Sequence, residues 1–368
     1  METSARNPLS EKIFFVAHLF VGRVVGALAL ALAALAVFPV HAQTSARSSA
    51  RTTAASPRKA SGTTAKGTMI PRTPWGTPDL NGVWNGNTMT PLERPDKYAN
   101  KPFLTEQEAA ALEKAQRDTA LLENKATPGD PGTYNQSWTD PAFKLLPDRR
   151  TSLIVDPSDG RIPFTPEGLR VEARSIARYG KGPYNSYLDL DTGERCITDG
   201  LPIYFGGYNN NYQIFQTRNY VAILHEYFHE ARIIPLDGRP HDSMPQWLGD
   251  GRGVWEGDTL VVETTKFADK GQYEWAAAWR AARSTTHLIE RFTRKANSIE
   301  YQFTWEDPTM FTRPWTARWP LSRQEDIGVT RGPIYEYSCH EGNYAMEGVL
   351  SGARAKERED AATKGSSR

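Results

Sequence analysis

The sequence predicts a mainly β fold, an antiparallel meander forming a barrel-like or strongly curved sheet with two covering N-terminal helices. The alternative is a two-sheet β-sandwich. Three observations carry this. From Asn211 onward, runs rich in β-branched and aromatic residues follow one another, separated by turn signals such as Asp237-Gly238, Gly257-Asp258 and Ala296-Asn297. Six to nine such strands in series leave edges that closure or covering must bury, and a single closed sheet does this most economically. No internal repeat of about 40–50 residues is visible, which removes a propeller.

In order, the folded part opens on the turn-rich segment Arg72 to Leu80, and Asn81 to Asn85 reads as the first strand. Its Gly82-Val83-Trp84 resembles the entry strand of lipocalin-like (calycin-like) barrels. Thr105-Glu106-Gln107-Glu108 is a capping box that starts a helix through Leu122. Ser152 to Val155 is a short strand, and Thr165-Pro166-Glu167 starts a second helix with Pro at its first position, running to about Tyr179. Strands follow at 211–217, 220–227, 231–236, 252–256, 259–266, 287–294, 298–306, 312–322 and 334–339. The insertion 268–285 holds Trp275 and Trp279 and has room for a short helix.

The ends of the chain read differently. Arg23 precedes an Ala- and Leu-rich run from Val24 to Val40, followed by the small-residue site Val40-His41-Ala42, so residues 1–42 are expected to be a signal peptide. Residues 43–70 are mostly Ser, Thr, Ala, Arg and Lys and cannot bury enough surface to order, so a disordered linker is expected there. A single β-rich domain is expected over 71–353 and a disordered tail over 354–368. Residues 1–68 carry eight Lys/Arg against two Asp/Glu, whereas the whole chain is +1, so the remainder is net −5. That mild acidity excludes a nucleic-acid partner. The expected location is periplasmic or secreted, with no stable membrane insertion after signal cleavage. The only cysteines, Cys196 and Cys339, would then meet an oxidising compartment, where an even count favours a disulfide. Closing so long a loop stabilises by about 4–5 kcal/mol in the chain-entropy account.

Chemistry-bearing residues concentrate between Tyr220 and Phe267. His225-Glu226-Tyr227-Phe228-His229 matches the zinc-protease pattern, which works on a helix, where the two His share a face. Here both flanks are strand-like, and on a strand the two would lie about 13 Å apart. No third ligand stands at the expected spacing, and Pro235 takes that place. No metal is therefore assigned and His225 reads as a bystander. No phosphate loop, dinucleotide fingerprint or Gly-x-Ser-x-Gly elbow is present, so no cofactor is predicted. The remaining polar set, Glu226, His229, Arg232, His287, His340 and Glu341, has the composition of a general acid/base site if the barrel gathers it at one mouth. Asn210 and Tyr212, with His241 and Trp315, are candidates for holding a polar, partly apolar ligand.

The motifs Asp237-Gly238-Arg239-Pro240-His241, Trp255 to Thr264, His287 to Phe292, Thr312 to Thr316 and Cys339 to Asn343 together resemble a family of exported bacterial proteins over residues 72–354. The resemblance implies membership and brings no substrate, cofactor or catalytic residue with it. It implies that Glu226 and His229 are shared features and that many relatives lack His at the position of His225, which weakens the zinc reading further.

The expectation is an exported β-domain that binds a small, partly apolar molecule. As an enzyme it would be a lyase, isomerase or hydrolase working by metal-independent acid/base chemistry, with His229 or His340 as base and Arg232 stabilising an anion. The competing readings are a non-catalytic carrier or envelope interaction module, and a metal-dependent hydrolase built on the same His/Glu set. The sequence sets no oligomeric state.

Overall fold

The computed structural model describes residues 69–123, 142–179, 181–270, 277–323, 334–341 and 343–366, all within the unit Gly67–Arg368. The expected signal peptide and nearly all of the linker lie outside the described residues. Ten strands form one antiparallel sheet: β1 (Gly82–Asn85), β2 (Ile154–Asp156), β3 (Asn211–Gln216), β4 (Tyr220–His225), β5 (Glu230–Pro235), β6 (Asp250–Glu256), β7 (Thr259–Thr265), β8 (His287–Arg294), β9 (Ser298–Glu306) and β10 (Trp315–Arg323). The order is β5-β4-β3-β1-β10-β9-β8-β7-β6, with β2 attached to β10. Two meanders, β3 to β5 and β6 to β10, are thus joined by β1, which pairs β3 on one side and β10 on the other.

The sheet curls until its two edges, β5 and β6, face each other, which makes it a nearly closed barrel and excludes the sandwich. No ladder joins these edges; they meet by packing. A Cβ on Gly253 would lie 2.6 Å from Leu236 Cδ2 and 2.9 Å from Ile234 Cγ2. Glycine there lets the β5 side chains lie against the β6 backbone.

Alternation fills the interior. Phe292 of β8, Tyr301, Phe303 and Trp305 of β9, and Trp315 and Trp319 of β10 are all buried and point inward. They meet edge to face, Tyr301 with Trp319 at 5.1 Å and Phe303 with Trp315 at 5.1 Å between centroids. The lower end is closed by Trp84, whose Nε1–H donates to Leu80 O at 2.8 Å and whose ring lies against the guanidiniums of Arg294 and Arg323. Pro320 sits inside β10 without breaking it. Arg318 turns its N–H away from β9 to Leu153 O, and Pro320 has the same parity. Its missing N–H therefore falls in the gap between β2 and β1, where no ladder bond is lost.

The two expected covering helices are present as α1 (Glu106–Glu123) and α2 (Pro166–Arg178). The capping box of α1 is reciprocal: Glu108 N–H donates to Thr105 Oγ1 at 3.2 Å, and Thr105 N–H donates to Glu108 Oε2 at 2.9 Å. Thr165 caps α2 by accepting from Gly168 N–H at 2.9 Å. A 3-10 turn at Ala278–Arg280 stands in the described part of the insertion.

Two expectations are corrected. Ile334–Cys339 is not a strand. Tyr335 N–H donates to the Glu226 carboxylate at 2.7 Å in place of a ladder bond. The segment expected as a disordered tail belongs to a third helix, α3 (Ala345–Ser366). Its Ala, Glu, Lys and Arg are strong helix formers, and Arg354–Glu357 and Lys356–Asp360 pair along it.

Cys196 and Cys339 are joined in a disulfide with a Cα–Cα separation of 5.6 Å, tying the loop before β3 to the segment after β10. A thiol reagent added to the unfolded, unreduced protein is expected to find no free thiol; two reactive thiols would contradict the bridge. Among the described residues no helix is long and apolar enough to cross a membrane.

Candidate functional site

The upper end of the barrel is where β4 passes into β5. The chain turns there in four residues, and Phe228 and His229 adopt positive φ angles of 62° and 51°. Glu226 holds this turn in place. One carboxylate oxygen accepts from Asn211 Nδ2 at 2.6 Å and the other from Tyr335 N–H at 2.7 Å, while Asn211 Oδ1 accepts from Asn85 Nδ2. Glu226 is therefore a buried anchor among β1, β3 and the 334–341 segment, with both oxygens engaged.

Loops 198–205 and 277–282 lie across this end and bring titratable groups onto it. His225, the last residue of β4, shares parity with Val221 and Ile223 and so points inward. Its ring stacks on Tyr212 at 4.1 Å and 9°. Its Nδ1 lies 3.8 Å from Asp199 Oδ2, and the same oxygen is 3.2 Å from Arg280 Nη2. Arg280 also donates to Pro202 O at 3.1 Å and lies over the Tyr204 ring. Tyr212 donates its hydroxyl to Tyr204 O at 2.6 Å. Glu230, the first residue of β5, accepts from Thr198 Oγ1 at 2.5 Å. On the far side of Tyr204 are two more carboxyls: Glu172 of α2 accepts from Trp279 N–H at 3.1 Å, and Glu93 accepts from Ile162 N–H at 2.9 Å. Tyr204, Phe205, Trp279 and Trp319 form the apolar wall between the two halves, each in edge or stacked contact with another.

Burial sets the electrostatics. It pulls the His225 imidazole down to about 4, with Arg280 lowering it further and Asp199 opposing. It pushes the Glu230 carboxyl up to about 7 and that of Glu172 up to about 8, the latter helped by the Glu93 charge. Glu93 is itself raised by burial. The imidazole and the Glu230 carboxyl have exchanged their usual order. At neutral pH the site holds an unprotonated imidazole, a carboxyl near its midpoint and a fixed guanidinium, the components of a general acid/base centre.

The residues expected from sequence are dispersed. Glu226 anchors the turn, and His229 beside it is exposed. Arg232 lies inside the barrel in an ion pair with Glu290. His287 is on the outer face, 2.8 Å from Glu263 and 3.5 Å from Glu306, and His241 is 3.7 Å from the same Glu263 and 3.2 Å from Asp250. His340 lines an open groove beside the disulfide, and Glu341 next to it is exposed. Asn210 is buried with both ends of its amide on the Gly206 backbone, and Trp315 is core. Tyr212 alone of the expected residues belongs to the polar cluster. His225, read as a bystander, is at its centre, and Asp199, Glu230 and Arg280 were not anticipated. Parity with Val221 and Ile223 was the available signal for His225; the two loops carry no comparable one. Among the described residues no three His, Cys, Asp or Glu side chains are grouped as a metal site would need.

Comparison of the chain with protein-family models, with curated proteins and with solved structures finds no match.

Proposed function

We propose that this chain is an exported β-barrel protein that binds a small, partly apolar molecule at the upper end of the barrel and acts on it by acid/base chemistry. In this reading His225 is the base, Glu230 the acid and Arg280 the group that holds an anionic part of the ligand. The observation that carries it is the gathering of a buried imidazole, two carboxyls and a guanidinium from four separate segments beside an aromatic wall. Burying such groups costs several kcal/mol unless they are well paired, and strongly perturbed groups of this kind cluster at functional sites. Export to the periplasm or beyond is supported by the leader-like N-terminal sequence and by the disulfide. Membership of the exported bacterial family rests on the motifs between Asp237 and Asn343. The carrier or interaction-module reading draws on the tightly filled barrel interior and on the groove at His340.

A thermal-shift screen of small carboxylates and polar aromatic acids separates the two. Compounds that raise the wild-type midpoint by several degrees and lose the effect in both His225→Asn and Glu230→Gln are the expected result. Hits that stabilise both variants as well as the wild type would move the site elsewhere and end the acid/base reading.

A further inference from the structure

Beside the disulfide is a pocket of about 210 Å³ lined by Tyr208, Tyr227, Tyr337, Glu194, Leu190 and Met346, among others; its Tyr227 wall meets the His225 ring of the acid/base cluster at 6.1 Å. No Lys, Arg or His is among the residues that line it. The three tyrosines come from three different segments and do not lie flat on one another. Tyr227 meets Tyr208 at 5.4 Å and 76°, and Tyr337 at 4.8 Å and 67°, so the rings form inclined walls instead of a stack. Phe228 backs Tyr337 at 5.3 Å, held there by its positive φ. Glu194 supplies the charge: its Oε2 accepts from Asp191 N–H at 3.0 Å. Asp191 beside it is pushed up to about 6 chiefly by burial, with the Glu194 charge adding to the shift and Arg195 opposing it. Arg195, the nearest cation in sequence, lines the neighbouring groove.

We propose that this pocket binds a small organic cation, a quaternary or methylated ammonium group seated against the tyrosine faces and neutralised by Glu194. Ring faces carry the negative lobe of the aromatic quadrupole, and a weakly hydrated ammonium with methyl groups uses both that field and the apolar contact. A volume below the roughly 300 Å³ of sites for drug-sized ligands restricts the occupant to a headgroup of choline size. The disulfide belongs to the device. Cys196 is two residues from Glu194, and Cys339 is two residues from Tyr337, so the bridge fastens the acidic wall to an aromatic one. The inference uses none of the groups assigned to acid/base chemistry, and its variants, at Glu194 and Tyr337, leave in place Tyr227, the wall that meets the His225 ring.

Calorimetric titration of the oxidised full-length protein with choline, with tetramethylammonium and with choline's uncharged carbon isostere tests it. Saturable binding of both cations and at least tenfold weaker binding of the isostere are expected. Glu194→Gln, which keeps the acceptor for Asp191 N–H, and Tyr337→Leu should each weaken choline binding about tenfold. Circular dichroism confirms that each variant is folded, and if Tyr337→Leu is not, Glu194→Gln alone decides. Phosphatidylcholine vesicles form a further arm: sedimentation with them assigns the headgroup to lipid, and its absence assigns it to a free base. Equal affinity for cation and isostere, unchanged affinity in Glu194→Gln, or no binding of either cation would overturn the proposal.

Discussion

Replacing Glu290 by Leu is expected to destabilise the fold by about 3–5 kcal/mol, and replacing Arg232 by Leu at the same time is expected to restore most of that loss. Both groups lie inside the barrel, Glu290 fully buried and Arg232 8% exposed. Arg232 reaches across from β5 to pair with one oxygen of Glu290, and the Tyr301 hydroxyl donates to the other at 2.8 Å. Arg232 Nε and Nη1 are buried with no partner among the described residues, so the guanidinium depends on Glu290 for its compensation. Without the carboxylate a desolvated cation remains; without both, two leucines fill an apolar interior. The residual cost is the stranded Tyr301 hydroxyl, about 1–3 kcal/mol. Tyr301 would keep its other contact, as acceptor from Ile203 N–H at 3.1 Å. Urea unfolding at neutral pH measures all three proteins. A double variant no more stable than Glu290→Leu would refute the account. Arg232 was expected from sequence to stabilise a ligand's anion. That role would appear as lost ligand response in the double variant with its stability retained.

Arg232 also illustrates what the sequence made legible. The inward–outward alternation of β8, β9 and β10 is written as Leu288-Glu290-Phe292, Ile299-Tyr301-Phe303-Trp305 and Trp315-Ala317-Trp319. That period is the pattern of a sheet with one buried face; with the turn signals it pointed to an antiparallel meander, and the choice of a nearly closed barrel over a sandwich came from the strand order. The caps at Thr105 and Thr165 were legible because a cap is local chemistry. The disulfide was legible because two cysteines expected to meet an oxidising compartment allow one pairing. The polar cluster was not, since it depends on where loops land. Asp199 and Arg280 stand 81 residues apart and meet only because both loops lie across the same end of the barrel. The six expected residues were chosen for their chemical types, and Glu226 shows the weakness of that choice. Its carboxylate is consumed by Asn211 and Tyr335, a use that only the fold defines. The helix α3 was missed because its polar composition resembles a frayed tail. Its placement comes from Met346 and Leu350 lying over the disulfide region, a contact that leaves no local signature.

The same buried groups give stability a pH dependence that favours the acid side of neutrality, with a plateau reached at about pH 4.5. Glu172 and Glu230 bind a proton more tightly folded, at about 8 and about 7, than unfolded, near the ordinary 4.5. Their contribution is therefore complete below about 4.5 and is lost as pH rises through 7 and 8. Asp191, raised to about 6, acts in the same direction. His225 works oppositely: its folded value of about 4 lies below the ordinary 6.5, so its contribution is complete above 6.5 and is lost as pH falls toward 4. Between 4.5 and 6.5 the raised carboxyls outnumber the single imidazole, so stability still rises as the pH falls. Below 4.5 the imidazole and Asp191, whose ordinary value is 3.8, offset each other, and stability levels off. Each group contributes at most about 1.4 kcal/mol per pH unit over its own window. A loss on the order of 2–4 kcal/mol is expected between pH 5 and pH 8. Urea unfolding across this range is the measurement. Glu172→Gln should flatten the alkaline limb, because the amide is neutral at every pH and still accepts from Trp279 N–H. His225→Asn should steepen the loss between pH 4.5 and 6.5, where the imidazole opposes the carboxyls, without touching the limb above pH 6.5. A wild-type curve flat between pH 5 and pH 8 would mean that these carboxyls are hydrated in solution. The upper end of the barrel would then be an open, wet mouth, and the acid/base proposal would lose the dry site on which the inversion of His225 and Glu230 depends.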